Sequence, residues 1–513
     1  MKWHSRFLIP GFICTAGLFA AACNDSSGPA NFADQPQQLR VMTFNIEWGG
    51  TNISFDSVLE AIRLSKADIV GIQEAEGNLQ RLAGELGWNY NLRNYAISIF
   101  PLIEPQDSEG LYVLVETSPG KVVALANIHL PSDPAGPHEI RNGAALDEVM
   151  ELERNTRLPF IQAYLPKLAD LVAQGIPVFL TGDFNAPSHL DWTEAVVGSR
   201  PFLRYAVDWP VSRAVSNAGF KDSWRVIHPD PLTHPGLTWW AARPPLPSYA
   251  PGENDPQDRI DFVWYAGAAE AQESFIVAEN GHAAAAIQVA PWPSDHRAVV
   301  STFTVIPADM PELLATGHRI YEVGDEVQVI YHGAQQRATA LLTTLAADGS
   351  TTPIGEFAVE SGGRNSLPIN GLPPGHYLLE VTPPNGGTRR NAFWVLDKSR
   401  PPVIEVIGSE FILGQPVPMS WSNGPGNRND YVAVYPPGAA AQYEEGDYQT
   451  GLAWAYVGAL PEGRMNLDAG NAGWGWPIPP GTYVMRLMKD DGYEVLAESG
   501  RFEVHDADIS TGE

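Results

Sequence analysis

Between residues 39 and 305 the chain alternates two kinds of hydrophobic pattern. Continuous apolar runs of strand length lie at 39–44, 69–72, 122–128, 177–181, 260–265 and 298–305. Runs this short, bounded by polar residues, predict buried strands. Between the first two, Val58, Leu59 and Ile62 recur at helical spacing behind Ser54, a predicted N-cap. Leu158, Ile161, Leu165, Leu168 and Val172 trace a second helical stripe, which Gly175 should stop. Pro159 and Pro166 fall in that stretch and predict a split or a kink. Strands alternating with helices predict an α/β domain with buried sheets over residues 39–306.

The pattern changes after Ile306-Pro307. Residues 309–506 carry no long helical stripe but much Pro, Gly, Val and Tyr. They also contain a repeat. Pro374-Gly375-His376-Tyr377 is echoed by Pro480-Gly481-Thr482-Tyr483, and Val323-Gly324-Asp325 by Leu413-Gly414-Gln415. Short strands between turn signals, repeated once, predict two all-β sandwich domains at 309–397 and 402–506, with a linker from Lys398 to Pro402. Asp430 to Tyr435 alternates as a strand and resembles a motif of immunoglobulin-like accessory domains.

Composition narrows the function classes. A chain of 513 residues, 44% hydrophobic with 15 Trp, builds several cores and is not globally disordered. The formal net charge of -28 disfavours nonspecific nucleic-acid binding. It leaves a phosphate substrate open, because a bound metal reverses the local sign. Lys2 and Arg6 precede an apolar run over 7–22, which predicts a signal peptide at 1–22 and no transmembrane helix in the mature chain. Cys23 follows directly, and Cys14, the other cysteine, would leave with the signal, so no internal disulfide is expected. A lone Cys at the cleavage point favours a lipid anchor at Cys23. The expectation is an exported outer-membrane or cell-surface lipoprotein, with a periplasmic or secreted protein as the alternative. Residues 23–38 read as a flexible tether.

Polar triplets close the apolar runs. Asp183 and Asn185, two apart at a strand end, could take a proton from water and hold a phosphoryl oxygen, or could simply form an Asx turn. In Ser294-Asp295-His296 the carboxylate could orient the imidazole and keep it cationic, or could cap a strand. Asn127-Ile128-His129 puts an amide and an imidazole on one side of a strand. Asn45 and Glu74 offer hard oxygen ligands, and Glu47 could share their face or point to solvent. Asp261 begins a strand at the same rim.

These motifs, in this order, resemble the exonuclease–endonuclease–phosphatase superfamily over residues 39–305, down to Ser98-Ile99-Phe100-Pro101-Leu102 before the histidine motif. The resemblance implies a four-layer α-β-β-α sandwich with active-site loops at one edge. It implies Glu74 as the main metal ligand with Asn45 beside it, and Glu47 and Asp295 as further ligands. Asp183 would activate water, Asn185 hold the phosphate, and His129 stabilise charge or protonate the leaving group. His296, oriented by Asp295 or Asp261, would act as base or cation. The metal implied is Mg2+ first, with Mn2+ or Ca2+ as alternatives.

The regions 131–143 and 186–258 carry no basic cluster of the kind a duplex needs. Arg141 could clamp a phosphate or pair on the surface, and His189 could border the pocket, as could Asp191, His228 and His234. Trp239-Trp240 is the candidate for an apolar lipid-contacting loop. The expectation is therefore a metal-dependent phosphodiesterase or phosphatase acting on a small or lipid-derived phosphoester. A secreted endonuclease is the alternative, with nucleic acid only as substrate. A reading from another class is a surface binding protein with an inactive enzyme-like domain. Tyr443, Trp454, Tyr456, Trp474 and Trp476 could form a glycan-stacking face, or fill sandwich cores while the β domains act as spacers.

Overall fold

The computed structural model describes residues 35–244, 255–368, 371–383, 387–441, 451–473 and 475–506, with the backbone of 443–444 and 447–448. The predicted signal peptide, Cys23 and the predicted tether as far as residue 34 lie outside the described residues, as does Trp474. The last residues of the predicted tether, Gln37 and Gln38, already pair in a sheet.

In chain order the first strands are β1 (Gln37–Asn45), β2 (Ile69–Gln73), β3 (Asn89–Asn91), β4 (Ala96–Ser98), β5 (Leu102–Ile103), β6 (Val113–Ser118), β7 (Lys121–His129), β8 (Val178–Asp183), β9 (Lys221–Asp222), β10 (Asp261–Ala266), β11 (Ala269–Glu279), β12 (Ala285–Val289), β13 (Ala298–Val305) and β14 (Ala308–Asp309). They form two sheets, ordered β12-β11-β13-β1-β2-β4-β3 and β5-β6-β7-β8-β10-β9. The helices are α1 (Phe55–Ser65), α2 (Leu79–Leu86), α3 (Gly136–Asn142), α4 (Leu146–Thr156), α5 (Leu158–Ala173), α6 (Pro210–Asn217) and α7 (Ser223–Ile227).

The continuous apolar runs follow from burial of both faces of each sheet. Along β1, Leu39 and Val41 enter the core between the sheets, while Met42 and Phe44 pack outward beneath α1 and α2. Along β8, Phe179 faces inward and Val178 and Leu180 pack against α5. This is the expected four-layer α-β-β-α sandwich. Ser54 caps α1 by accepting from Ser57 N–H at 3.1 Å. The stripe expected to split or kink is not split: it runs as the single helix α5, with Pro159 in its first turn and Pro166 inside it. Proline suits the first turn, and Ile161, Leu168 and Leu171 bury enough surface to carry the bond that Pro166 removes.

Two β-sandwich domains follow. The nearer pairs a three-stranded sheet (Leu313–Thr316, Gln328–His332, Gly363–Ser366) with a five-stranded one built around Gly375–Val381. The farther repeats the plan with Val403–Val406, Val417–Ser422 and Gly463–Leu467 against a sheet built around Gly481–Met488. The sequence repeat has a physical meaning here. Tyr377 OH donates to Pro373 O at 2.6 Å, and Tyr483 OH donates to Pro479 O at 2.8 Å, so each tyrosine pins the turn that leads into its strand. The first sandwich is not a separate body on a linker. β14 pairs with β7, and Met310, Leu313, Ala315 and Ile330 belong to the core that covers the outer face of the second sheet.

Candidate active site

Strand direction gathers the chemistry. β1 runs parallel to β2, and β7 parallel to β8, so Asn45, Gln73, His129 and Asp183 all stand at C-terminal ends. β13 and β10 run antiparallel to their neighbours, so His296 and Asp261 arrive where the others leave. Side-chain alternation does the rest. Leu39, Val41, Phe179 and Val263 face the inter-sheet core, and Asn45, Asp183 and Asp261 have the same parity one edge further on. Below them lies a polar ladder. Thr43 bonds Gln73, Gln73 Nε2 donates to Asn127 Oδ1 at 2.6 Å, and Thr181 Oγ1 donates to the same oxygen at 3.0 Å. A Cβ on Gly71 would sit 2.1 Å from Thr181 Oγ1, so this rung admits only glycine.

Asp183 is the hub. Its Oδ2 accepts from Asn45 Nδ2 at 3.1 Å and lies 3.5 Å from both His129 Nε2 and His296 Nε2. Its Oδ1 accepts from Asn185 N–H at 2.8 Å. His296 Nδ1 lies 3.0 Å from Asp261 Oδ2, and its Nε2 lies 3.9 Å from Asp295. Glu74 Oε1 accepts from Asn45 Nδ2 at 2.9 Å and faces His129 at 3.9 Å. Glu47, Glu74 and Asn185 sit at φ 54°, 54° and 49°, left-handed conformations that cost non-glycine residues about 1 kcal/mol or more each. Three such residues on one rim hold side chains where relaxed strand ends would not put them.

Charge at this rim is unbalanced. Burial, and then Asp261, push the Asp183 carboxyl up to about 6, against the opposing pull of His296 and His129. Burial and Asp295 push Glu47 up to about 8. Burial also raises Asp295. Burial alone would lower His296, but Asp261, Asp183 and Asp295 outweigh it and hold the imidazolium well above the ordinary value.

The donor set fits a hard divalent cation. Carboxylate oxygens of Asp183 and Asp261 converge within 4.8 Å beside His296, whose cationic ring is no ligand, and among the described residues Asp261 Oδ1 is buried with no hydrogen-bond partner. Glu74 adds a carboxylate at the open lip. Asn45 would present its oxygen if its amide were turned over; as placed, Oδ1 accepts Glu47 N–H. Glu47 acts as a brace: Oε1 takes Arg243 at 2.6 Å and Oε2 accepts Asp295 N–H at 3.0 Å.

The other candidates have partners of their own. Arg141 pairs with Asp255 at 2.5 Å. His189 is buried against Ser212 Oγ at 2.9 Å. Asp191 binds Arg225 and Arg259, while His228 and His234 stack on each other at 5.0 Å. Trp239 supports the site: it forms isolated β-bridges with Asp258 and His296 and donates Nε1–H to Asp295 Oδ2 at 3.2 Å. Sequence reasoning missed Arg243 as a support, and weighed Trp239 for its apolar ring rather than for its N–H.

Residues 42–296 match the Endonuclease/Exonuclease/phosphatase family. The Caenorhabditis elegans protein F14F9.5 is 28% identical over 297 residues, covering 52% of this chain and 92% of its own. Among solved structures, D. rerio TDP2 complexed with single strand DNA product aligns at 15% identity over 52% of this chain and 99% of its own, with a TM-score of 0.34. An AP endonuclease from Archaeoglobus fulgidus aligns at 15% identity over 51% and 98%, with a TM-score of 0.32.

Proposed function

We propose that this protein, whose residues 42–296 match the Endonuclease/Exonuclease/phosphatase family of phosphoester hydrolases, is a divalent-cation-dependent hydrolase acting outside the cytoplasm on a small or lipid-derived phosphodiester or phosphomonoester. The observation that carries this reading is Asp183, set between two imidazoles with its Oδ2 3.5 Å from each.

Glu74, Asp295 and a turned Asn45 would hold the cation, which would neutralise charge on a phosphoryl oxygen. The chain's own groups supply the rest. A histidine kept cationic by three carboxylates is a poor base, so the proton of the attacking water goes to Asp183, whose carboxyl at about 6 is ionised at neutral pH. Asn185 N–H fixes that carboxylate. One hydrogen of Asn185 Nδ2 is spent on Leu130 O at 2.9 Å, and the other is left for a phosphoryl oxygen. Asp261 orients His296 so that Nε2–H also meets the phosphoryl group. As the water oxygen bonds phosphorus, the bond to the leaving oxygen breaks. His129 Nε2, at the partly open lip, is placed to protonate that oxygen.

The test is hydrolysis of bis(p-nitrophenyl) phosphate and p-nitrophenyl phosphate with Mg2+ or Mn2+. Chelation and Asp183→Ala should each abolish it. Turnover that survives both would refute the proposal.

A further inference from the structure

We propose that the far β-sandwich is a working part of the active centre, with Arg428 and Asp490 as positioning residues for the strand end bearing His129 and the loop that follows Glu74. This rests on the function proposed above.

Arg428 reaches out of its own domain. Its Nη1 donates to Asn127 O at 3.1 Å, two residues before His129 on β7. Its Nη2 donates to Tyr164 OH on α5 at 2.7 Å, and the guanidinium lies over the Tyr95 ring at 5.6 Å. Asp490 accepts Gly77 N–H at 2.5 Å, three residues after Glu74, and also accepts Tyr95 OH. Tyr95 joins the two grips: its carbonyl accepts Ile72 N–H at 2.9 Å on β2 and Asn127 Nδ2 at 3.3 Å on β7. Both catalytic strand ends are thus tied to one tyrosine that the far domain holds by ring and hydroxyl.

The tip that delivers Asp490 is itself built under constraint. Asp490 and Asp491, at φ 48° and 63°, are consecutive non-glycine residues in the left-handed region. Asp430 and Asn429 brace them: Asp490 N–H donates to Asp430 Oδ1 at 3.1 Å, and Asn429 N–H donates to Asp490 at 3.2 Å. Asp491 ends the tip at the mouth of the site. Its carboxylate is held by Tyr456 OH at 2.8 Å and Asn429 Nδ2 at 2.6 Å, close enough to His129 and Glu76 for their charges to interact. Tyr456 therefore serves this rim.

Not every interdomain contact has this placement. Arg364 of the near sandwich pairs with Glu116 on β6 at 2.8 Å. Glu116 lies opposite Val122, at the other end of β7 from His129. That is roughly 23 Å along the strand at about 3.3 Å per residue. This pair provides the control.

The test uses full-length Arg428→Ala, Arg428→Lys, Asp490→Asn and Arg364→Ala proteins. Each is assayed for kcat and KM on bis(p-nitrophenyl) phosphate, for Mn2+ binding to the metal-free protein by calorimetry, and for thermal unfolding. Arg428→Ala should lower kcat by about tenfold to a hundredfold with KM changed less than about threefold. Arg428→Lys, which keeps the charge and one donor, should recover part of that loss. Asp490→Asn should weaken Mn2+ binding by about tenfold, the usual scale for a supporting partner. Arg364→Ala should lower the melting temperature and leave kcat and Mn2+ binding alone. Wild-type kcat and Mn2+ affinity in both rim variants would overturn the proposal, as would an equal loss in Arg364→Ala or a wild-type protein that binds no Mn2+. Failure of the wild type to hydrolyse any phosphoester would sink the proposed function instead, and the Mn2+ titration would still judge Asp490.

Discussion

Two buried charge clusters sit in the same domain, and they are built on opposite rules. In one, Arg259 clasps Asp191 and Asp222 through four bonds of 2.6 to 3.1 Å, and Arg225 adds a fifth to Asp191 at 2.6 Å. Two guanidiniums meet two carboxylates. Burial would raise Asp191, but the guanidiniums outweigh it and hold the carboxyl below its ordinary value. At the rim, Glu47, Glu74, Asp183, Asp261 and Asp295 face His296 and Arg243, and burial wins at Asp183 and Glu47. A buried charge alone does not mark a functional site. A surplus of one sign with an unpaired buried oxygen does, because that surplus awaits a counter-charge from outside the chain.

The largest effect should come from removing the hub. Asp183→Asn keeps the shape and deletes the proposed proton acceptor, so kcat should fall by about 10³-fold or more. Removing a carboxylate whose ionisation is costly should leave the metal-free melting temperature unchanged or raised. A folded variant with normal turnover would erase the distinction between the clusters.

The converse change is in the clasp. Arg259→Leu strips Asp222 of its ion partner and leaves Asp191 only Arg225, and should cost about 3–5 kcal/mol of stability in denaturant unfolding. The rim loses chemistry when cut, and the clasp loses the fold. An Arg259→Leu protein of wild-type stability but without activity would place the clasp in the site.

What could be read in advance followed from locality. Asn45, Glu74, His129, Asp183 and Asp295-His296 each end or precede an apolar run within a few residues, so strand and chemistry share one window. β11 escaped because its first half, Ala-Glu-Ala-Gln-Glu-Ser, is polar and gains strand character only by pairing with β13. The change of pattern at Ile306-Pro307 is compositional, and Met310 and Leu313 beyond it pack on the core of the α/β domain. Arg428 and Asp490 lie 301 and 413 residues from the groups they hold, and no periodicity reports a contact of that span.

Acidity should separate the clusters next. Asp183 titrates at about 6 and Glu47 at about 8 in the folded chain, against ordinary values of 3.8 and 4.5. His296 is raised as well. All three bind protons more tightly folded than unfolded, so the folded state gains stability as pH falls from 8 toward 5. Asp191 has the opposite sign: its contribution is present above its ordinary value of 3.8 and lost as pH falls through its lower folded value. In EDTA, the melting temperature should rise by several degrees from pH 8 to pH 5 and decline below about pH 4. Saturating Mg2+ should flatten the upper limb by supplying the missing counter-charge. A metal-free melting temperature that climbs with pH between 5 and 8 would contradict the assigned surplus.

The smallest effect belongs to Arg141, which belongs to neither cluster. Its guanidinium is half-buried on α3 and meets Asp255 at 2.5 Å. An ion pair of this kind contributes at most about 1 kcal/mol. Arg141→Ala should shift the melting temperature by a few degrees at most and kcat/KM by less than about threefold. A phosphate clamp would behave otherwise: KM for the diester would rise tenfold or more, about 1.4 kcal/mol of lost binding. The assay therefore decides whether substrate recognition extends beyond the strand-end rim or stays within it.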